Sequence, residues 1–121
     1  MKKVLTFFYL TDIFLQIIVP GAVSDLTGQP TLTSILLTWS APQEPNGVLL
    51  SYEVTYRVSD GDLVITNTTH LMFTISSLTP GTNVTEISVT AYTSVGKGES
   101  TQIEYLTTLS ESLERKQSRL T

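Results

Sequence analysis

The stretch Leu50–Val58 constrains the fold of this chain more than any other. Leu50, Tyr52, Val54, Tyr56 and Val58 alternate with Ser51, Glu53, Thr55 and Arg57. Successive side chains of a strand point to opposite faces, so this alternation predicts a strand with one apolar and one wet face. Antiparallel sheets tolerate one wet face, and the apolar face must then be covered by a second layer. Between Pro20 and Thr108 no stretch carries a convincing 3.6-residue apolar period, so the second layer is expected to be another sheet.

The remaining strands follow from alternation, β-branched residues and turn punctuation. Ala22–Thr27 offers Val23 and Leu26, and Thr33–Ser40 places Ile35, Leu37 and Trp39 on one face. Asp62–Asn67 is a short strand after the turn Ser59-Asp60-Gly61. His70–Ser76 turns Leu71, Phe73 and Ile75 inward, Glu86–Thr93 turns Ile87, Val89 and Ala91 inward, and Gln102–Thr107 closes with Ile103 and Tyr105. Pro30, Ala41-Pro42, Pro45-Asn46-Gly47, Pro80-Gly81 and Gly96-Lys97-Gly98 break the chain between them. This pattern predicts an all-β fold, a seven-stranded antiparallel immunoglobulin-like β-sandwich. Its candidate core is Trp39, Tyr52, Val54, Tyr56, Phe73, Leu78 and Val89.

Charge and composition shift at two points and divide the chain into residues 1–19, 20–108 and 109–121. Residues 1–19 open with Lys2-Lys3 and continue as an apolar run to Val19, interrupted by Thr11-Asp12. That is the layout of a secretory signal peptide, with a mature start expected near Gly21 or Ala22. It is shorter than the roughly 20 apolar residues of a membrane span. The central block sets Arg57 and Lys97 against eight carboxylates, a net of −6, within a chain whose formal charge is −4. In the tail, Thr108-Leu109-Ser110-Glu111 fits a helix capping box, and Leu109, Leu113 and Leu120 share a helical face. A frayed helix, a disordered tail or a linker into a further domain is expected there.

The residues present exclude much chemistry. The chain has no cysteine, which removes disulfides, thiolate metal sites and thiol nucleophiles. It has one histidine, His70, and no Gly-x-Ser-x-Gly elbow. The acidic balance argues against a nucleic-acid partner. Asp60 and Asp62 share one hairpin tip, whereas calcium takes about six to eight oxygens, so they read as a solvated turn. Gly96-x-Gly98 opens no helix and is no phosphate cradle. Neither a cofactor, a metal nor a small-molecule substrate is expected. Asn67-Thr68-Thr69 and Asn83-Val84-Thr85 both match the N-glycosylation pattern and fall in expected turns. With 33 serines and threonines chance matches are common, and Asn67 is the better candidate because packing is expected to need the turn at Asn83.

The central block resembles a fibronectin type III domain over nearly its whole length. The carrying residues are Leu26, Leu37-Thr38-Trp39-Ser40-Ala41-Pro42, Pro45-Asn46-Gly47 with Tyr52-Glu53-Val54-Thr55-Tyr56-Arg57, Leu78-Thr79-Pro80-Gly81-Thr82 with Val89-Thr90-Ala91, and Gly96-Lys97-Gly98. The wording from Trp39 to Arg57 is most similar to ectodomain repeats of receptor-type protein tyrosine phosphatases, although catalysis of that kind needs a cysteine this chain lacks. One departure stands out. The family's corner tyrosine is missing, since Val84 or Thr85 occupies its place depending on the direction of counting. The segment is thus one residue longer than usual, which predicts a looser turn or a bulge near Asn83–Glu86.

The resemblance implies a non-catalytic extracellular module of a cell-surface receptor, binding proteins or spacing neighbouring repeats. Contact with a membrane would come only through the parent receptor. Sandwich-end loops carry recognition, so Pro42–Val48 is one candidate contact loop, with Pro42, Glu44, Pro45, Asn46 and Gly47 as its candidate residues, and Ser94–Glu99 a second, with Gly96, Lys97 and Gly98. The protein partner is unspecified, and any electrostatic attraction would favour a basic one. An intracellular structural repeat is the alternative, separated by the fate of residues 1–19.

Overall fold

The computed structural model describes residues 19–111. The strands are β1 (Ser24–Pro30), β2 (Ile35–Ser40), β3 (Leu49–Val58), β4 (Leu63–Thr68), β5 (Met72–Ile75), β6 (Asn83–Thr93) and β7 (Lys97–Thr107). They form a three-stranded sheet in the order β1-β2-β5 and a four-stranded sheet in the order β4-β3-β6-β7, with every pairing antiparallel. The expected sandwich is therefore present. The apolar run before Val19 and the tail beyond Glu111 lie outside the described residues.

The core lies between the inner faces of the sheets. Ile35 and Leu37 of β2, Val54 of β3, and Val84, Ile87, Val89 and Ala91 of β6 are fully enclosed, with Ile75 and Leu78 beside them. Trp39 and Tyr52 are buried and meet edge to face, their ring centroids 5.6 Å apart at 66°. The Trp39 indole N–H has no hydrogen-bond partner among the described residues. Tyr56 and Phe73 are half-buried at the margin, 6.1 Å apart.

Two bulges explain where the alternation fails. Leu49 pairs with Thr93 and Ser51 with Tyr92, so Leu50 is an extra residue in β3. It points outward and is 55% exposed, contrary to its expected inward phase, and Leu49 packs on the core instead. Further along, Thr55 pairs with Ser88 and Arg57 with Thr85, leaving Glu86 and Ile87 opposite Tyr56 alone. Glu86 takes up the extra residue in the left-handed region, with φ 52°. The bulge anticipated near Asn83–Glu86 is thus found. Because of it, Val84 and Ile87 are both buried although three residues apart, and Ile103 and Leu106 beside them repeat that spacing. Tyr105 consequently faces solvent, as does Leu71, which lies before the start of β5. Leu71 was expected inside.

The corner after Leu78 is not loose. Thr108 is buried, its hydroxyl donates to the Thr79 carbonyl at 2.8 Å, and it accepts from the Thr82 amide at 2.7 Å. The Thr82 hydroxyl also donates to the Thr79 carbonyl, the Thr108 amide to the Thr82 carbonyl, and the Gly81 amide to the Leu109 carbonyl. The chain leaving β7 therefore clasps the turn where the corner tyrosine would stand.

Candidate interaction surfaces

The loop between β2 and β3 and the β6–β7 hairpin meet at one end of the sandwich, around the N-terminal segment. The Asn46 side-chain amide donates to the Val19 carbonyl at 2.8 Å, and the Gly21 amide donates to the Glu44 carbonyl at 2.9 Å. Asn46 and Gly47 both have positive φ, 55° and 143°, as a tight reversal demands, and Gly47 lies against Thr93. Thr93 and Gly96 exchange backbone hydrogen bonds of 3.1 and 3.2 Å, so the hairpin tip is only Ser94-Val95.

These contacts redistribute the candidate loop residues. Pro42 is buried, and Pro45 and Asn46 are half-buried and tied down, which leaves Glu44 and Gly47 exposed. Lys97 and Gly98 belong to β7 instead of the loop. Gly98 presses on Pro20, itself fully buried, and a side chain at Gly98 would collide with the Pro20 backbone. The exposed apolar residues there are Val48 at 80% and Val95 at 57%, which lie within the two expected contact loops but were not among their candidate residues. Their only signal in the sequence is an apolar residue beside a turn glycine.

The outer face of the four-stranded sheet is built from hydroxyls and one charged cluster. Thr55 bonds Ser88 across β3 and β6, and Thr90 bonds Ser100 across β6 and β7. Glu53 accepts from the Tyr92 hydroxyl at 3.1 Å and from Lys97 Nζ at 3.2 Å. Burial raises the Tyr92 phenol above its ordinary value, and the neighbouring Glu53 carboxylate raises it further. Burial alone raises Tyr52. At the far end, Arg57 donates to Glu86 at 2.6 Å and to the Gly61 carbonyl at 2.7 Å. There Arg57, Asp60, Pro80, Asn83 and Glu86 border an open polar groove of about 610 Å³. Among the described residues no three His, Cys, Asp or Glu side chains come together as a metal site.

The glycosylation candidates sit in strands instead of turns. Asn67 is exposed on β4, opposite Glu53. Asn83 opens β6, and its side-chain carbonyl accepts from the Thr107 hydroxyl at 2.9 Å. His70, Asp60 and Asp62 are exposed.

The profile of the fibronectin type III domain matches residues 21–106. A segment of 66 residues is 39% identical to the phosphatidylinositol phosphatase PTPRQ of Rattus norvegicus, covering 54% of this chain and 3% of that protein. Another, of 73 residues, is 37% identical to ephrin type-A receptor 8 of Mus musculus, covering 58% of this chain and 7% of the receptor. The chain thus spans a small fraction of the curated relatives it matches. Among solved structures, the extracellular domains d3-d4 of rat CD45 align with a TM-score of 0.64 at 27% identity, over 74% of this chain and 50% of that one. The FN5 domain of Drosophila Lar aligns with a TM-score of 0.59 at 24% identity, over 75% of this chain and 98% of that one, a likeness of fold. The expected resemblance to repeats of receptor-type phosphatases is therefore met, and the chain belongs to the fibronectin type III family.

Proposed function

We propose that this chain is an extracellular protein-binding or spacer module of a cell-surface receptor, of the receptor-phosphatase kind. The observation that carries the reading is the pair of end loops, clamped around the N-terminal segment with Val48 and Val95 exposed at their tips. A clamped loop loses little conformational freedom on binding, and an exposed apolar tip supplies burial. The family is a non-catalytic fold, and the relatives' names include receptors. The acidic body favours a basic partner surface.

The test is expression of the full chain in mammalian cells. The expected outcome is secretion, with a mature N-terminus no later than Val19. The start near Gly21 or Ala22 would delete Pro20, which is buried, and the Val19 carbonyl that Asn46 holds. Retention of Met1 in the cytosol would instead support the structural-repeat alternative. For the loops, a tetramerised form of the secreted chain is expected to lose cell-surface binding when Val48→Asp and Val95→Asp are combined, and unchanged binding refutes their role.

A further inference from the structure

Among the described residues β4 is an edge strand, hydrogen-bonded to β3 on one side only. Its sequence Leu63-Val64-Ile65-Thr66-Asn67-Thr68 contains no charge and no proline. Leu63, Val64 and Ile65 are 44%, 37% and 60% exposed. A neutral, apolar edge is a template for pairing with another chain, and proteins blunt such edges with charge, proline, bulges or shortness. The other edges of this sandwich have those devices. β1 ends at Pro30 and carries a bulge beside Asp25, β5 is four residues long, and β7 carries Lys97, Glu99 and Glu104. β4 has none of them.

What β4 has is Asn67-Thr68-Thr69. Asn67 lies opposite Glu53, Ile65 opposite Thr55 and Leu63 opposite Arg57, so Asn67 shares a face with the two exposed apolar side chains. Asn67 and Thr69 are both exposed. The second sequon is placed differently, on β6, which is flanked by β3 and β7 and has no free edge.

We propose that Asn67 carries an N-linked glycan, and that this glycan keeps β4 from pairing with β4 of a second copy of this chain. A second copy suits the edge because antiparallel self-pairing sets Asp62, at one end of β4, against the end that leads to His70, so no like charges meet. In the transfer, the Asn67 amide nitrogen bonds the anomeric carbon of a lipid-linked diphospho-oligosaccharide. The bond from that carbon to the diphosphate breaks, the amide loses a proton, and the lipid diphosphate leaves with the electron pair. The inference rests on the extracellular reading, because the transfer takes place in the secretory pathway.

The test uses the full chain with residues 1–18 either retained or exchanged for an independent secretion leader. Failure of the native leader alone counts against the extracellular reading and leaves the glycan testable. Glycosidic-amidase treatment in heavy-oxygen water is expected to label residue 67. Sedimentation velocity is expected to show a monomer for the glycosylated chain and a shift to dimer for Asn67→Gln and for Thr69→Ala, which keeps the asparagine. Adding Ile65→Lys to either is expected to restore the monomer. The unglycosylated chain from bacteria, with and without Ile65→Lys, gives the same comparison if the variants are not secreted. An unmodified Asn67 in secreted protein, an unglycosylated chain that stays monomeric, or a dimer that survives Ile65→Lys overturns the proposal.

Discussion

Replacing Thr108 with valine tests whether the chain after β7 holds the corner. Valine keeps the shape of threonine and removes the hydroxyl. Two hydrogen bonds go, one donated to the Thr79 carbonyl and one accepted from the Thr82 amide. The Thr79 carbonyl retains a donor, since the Thr82 hydroxyl reaches it at 2.6 Å. The Thr82 amide loses its partner at a half-buried site. One net hydrogen bond and one stranded donor amount to about 2 kcal/mol. For a domain of this size that is a fall in Tm on the order of 10 °C. Thr108→Ser keeps both bonds and drops one methyl, a loss of about 1 kcal/mol. Urea unfolding followed by the fluorescence of Trp39, the one tryptophan of the chain, reads both variants. The m-value must be unchanged for the comparison to hold. A valine variant within about 0.5 kcal/mol of the parent, or a serine variant as unstable as the valine one, refutes the clasp.

Three further outcomes follow from other parts of the fold. Gly98→Ala is expected to cost about 1–3 kcal/mol in thermal unfolding, because the new methyl meets the backbone of Pro20, while Gly28→Ala meets only side chains, chiefly the end of Leu106, and should cost less; equal losses would contradict this. Glu86→Ala removes a surface ion pair whose side chains are 34% and 58% exposed and keeps the left-handed backbone, so Glu86→Gly should be the more stable of the two by about 1 kcal/mol in denaturant unfolding. Tyr52 and Tyr92 both titrate above the ordinary value of 10.0 in the folded chain, so the stability they contribute is complete below that pH and is lost as pH rises through their raised values. Tyr92→Phe should flatten part of the alkaline loss in urea titrations at stepped pH, and an unchanged slope would rule Tyr92 out as its source.

The features that could be read from residues alone are those decided within one strand. Ile35, Leu37 and Trp39 share a face, as do Tyr52 and Val54, and Ile87, Val89 and Ala91, because each Cβ direction follows from its neighbour's. Leu50 and Leu71 escaped the same logic because their orientation depends on a partner. Leu50 turns outward only because β6 offers no residue between Tyr92 and Thr93 to oppose it. The bulge at Glu86 was legible for a different reason: counting from Leu78 and from Ala91 disagreed by one residue, and an extra residue in a paired strand has to go somewhere. The clasp by Thr108 was not legible, because its partners lie 26 and 29 residues away. The glycines around Lys97 show the same division. Gly96 serves the hairpin reversal, with φ 152°, whereas Gly98 is small so that Pro20 can approach β7. Residue type does not distinguish a glycine that turns the chain from one that admits another backbone, because the distinction lies in the neighbour and not in the glycine. The interaction surface inherits this limit. Within the candidate loops Pro42–Val48 and Ser94–Glu99 the residues picked out were mostly the glycines and prolines that hold a loop in place, while the exposed apolar side chains, Val48 and Val95, are those the clamp does not use.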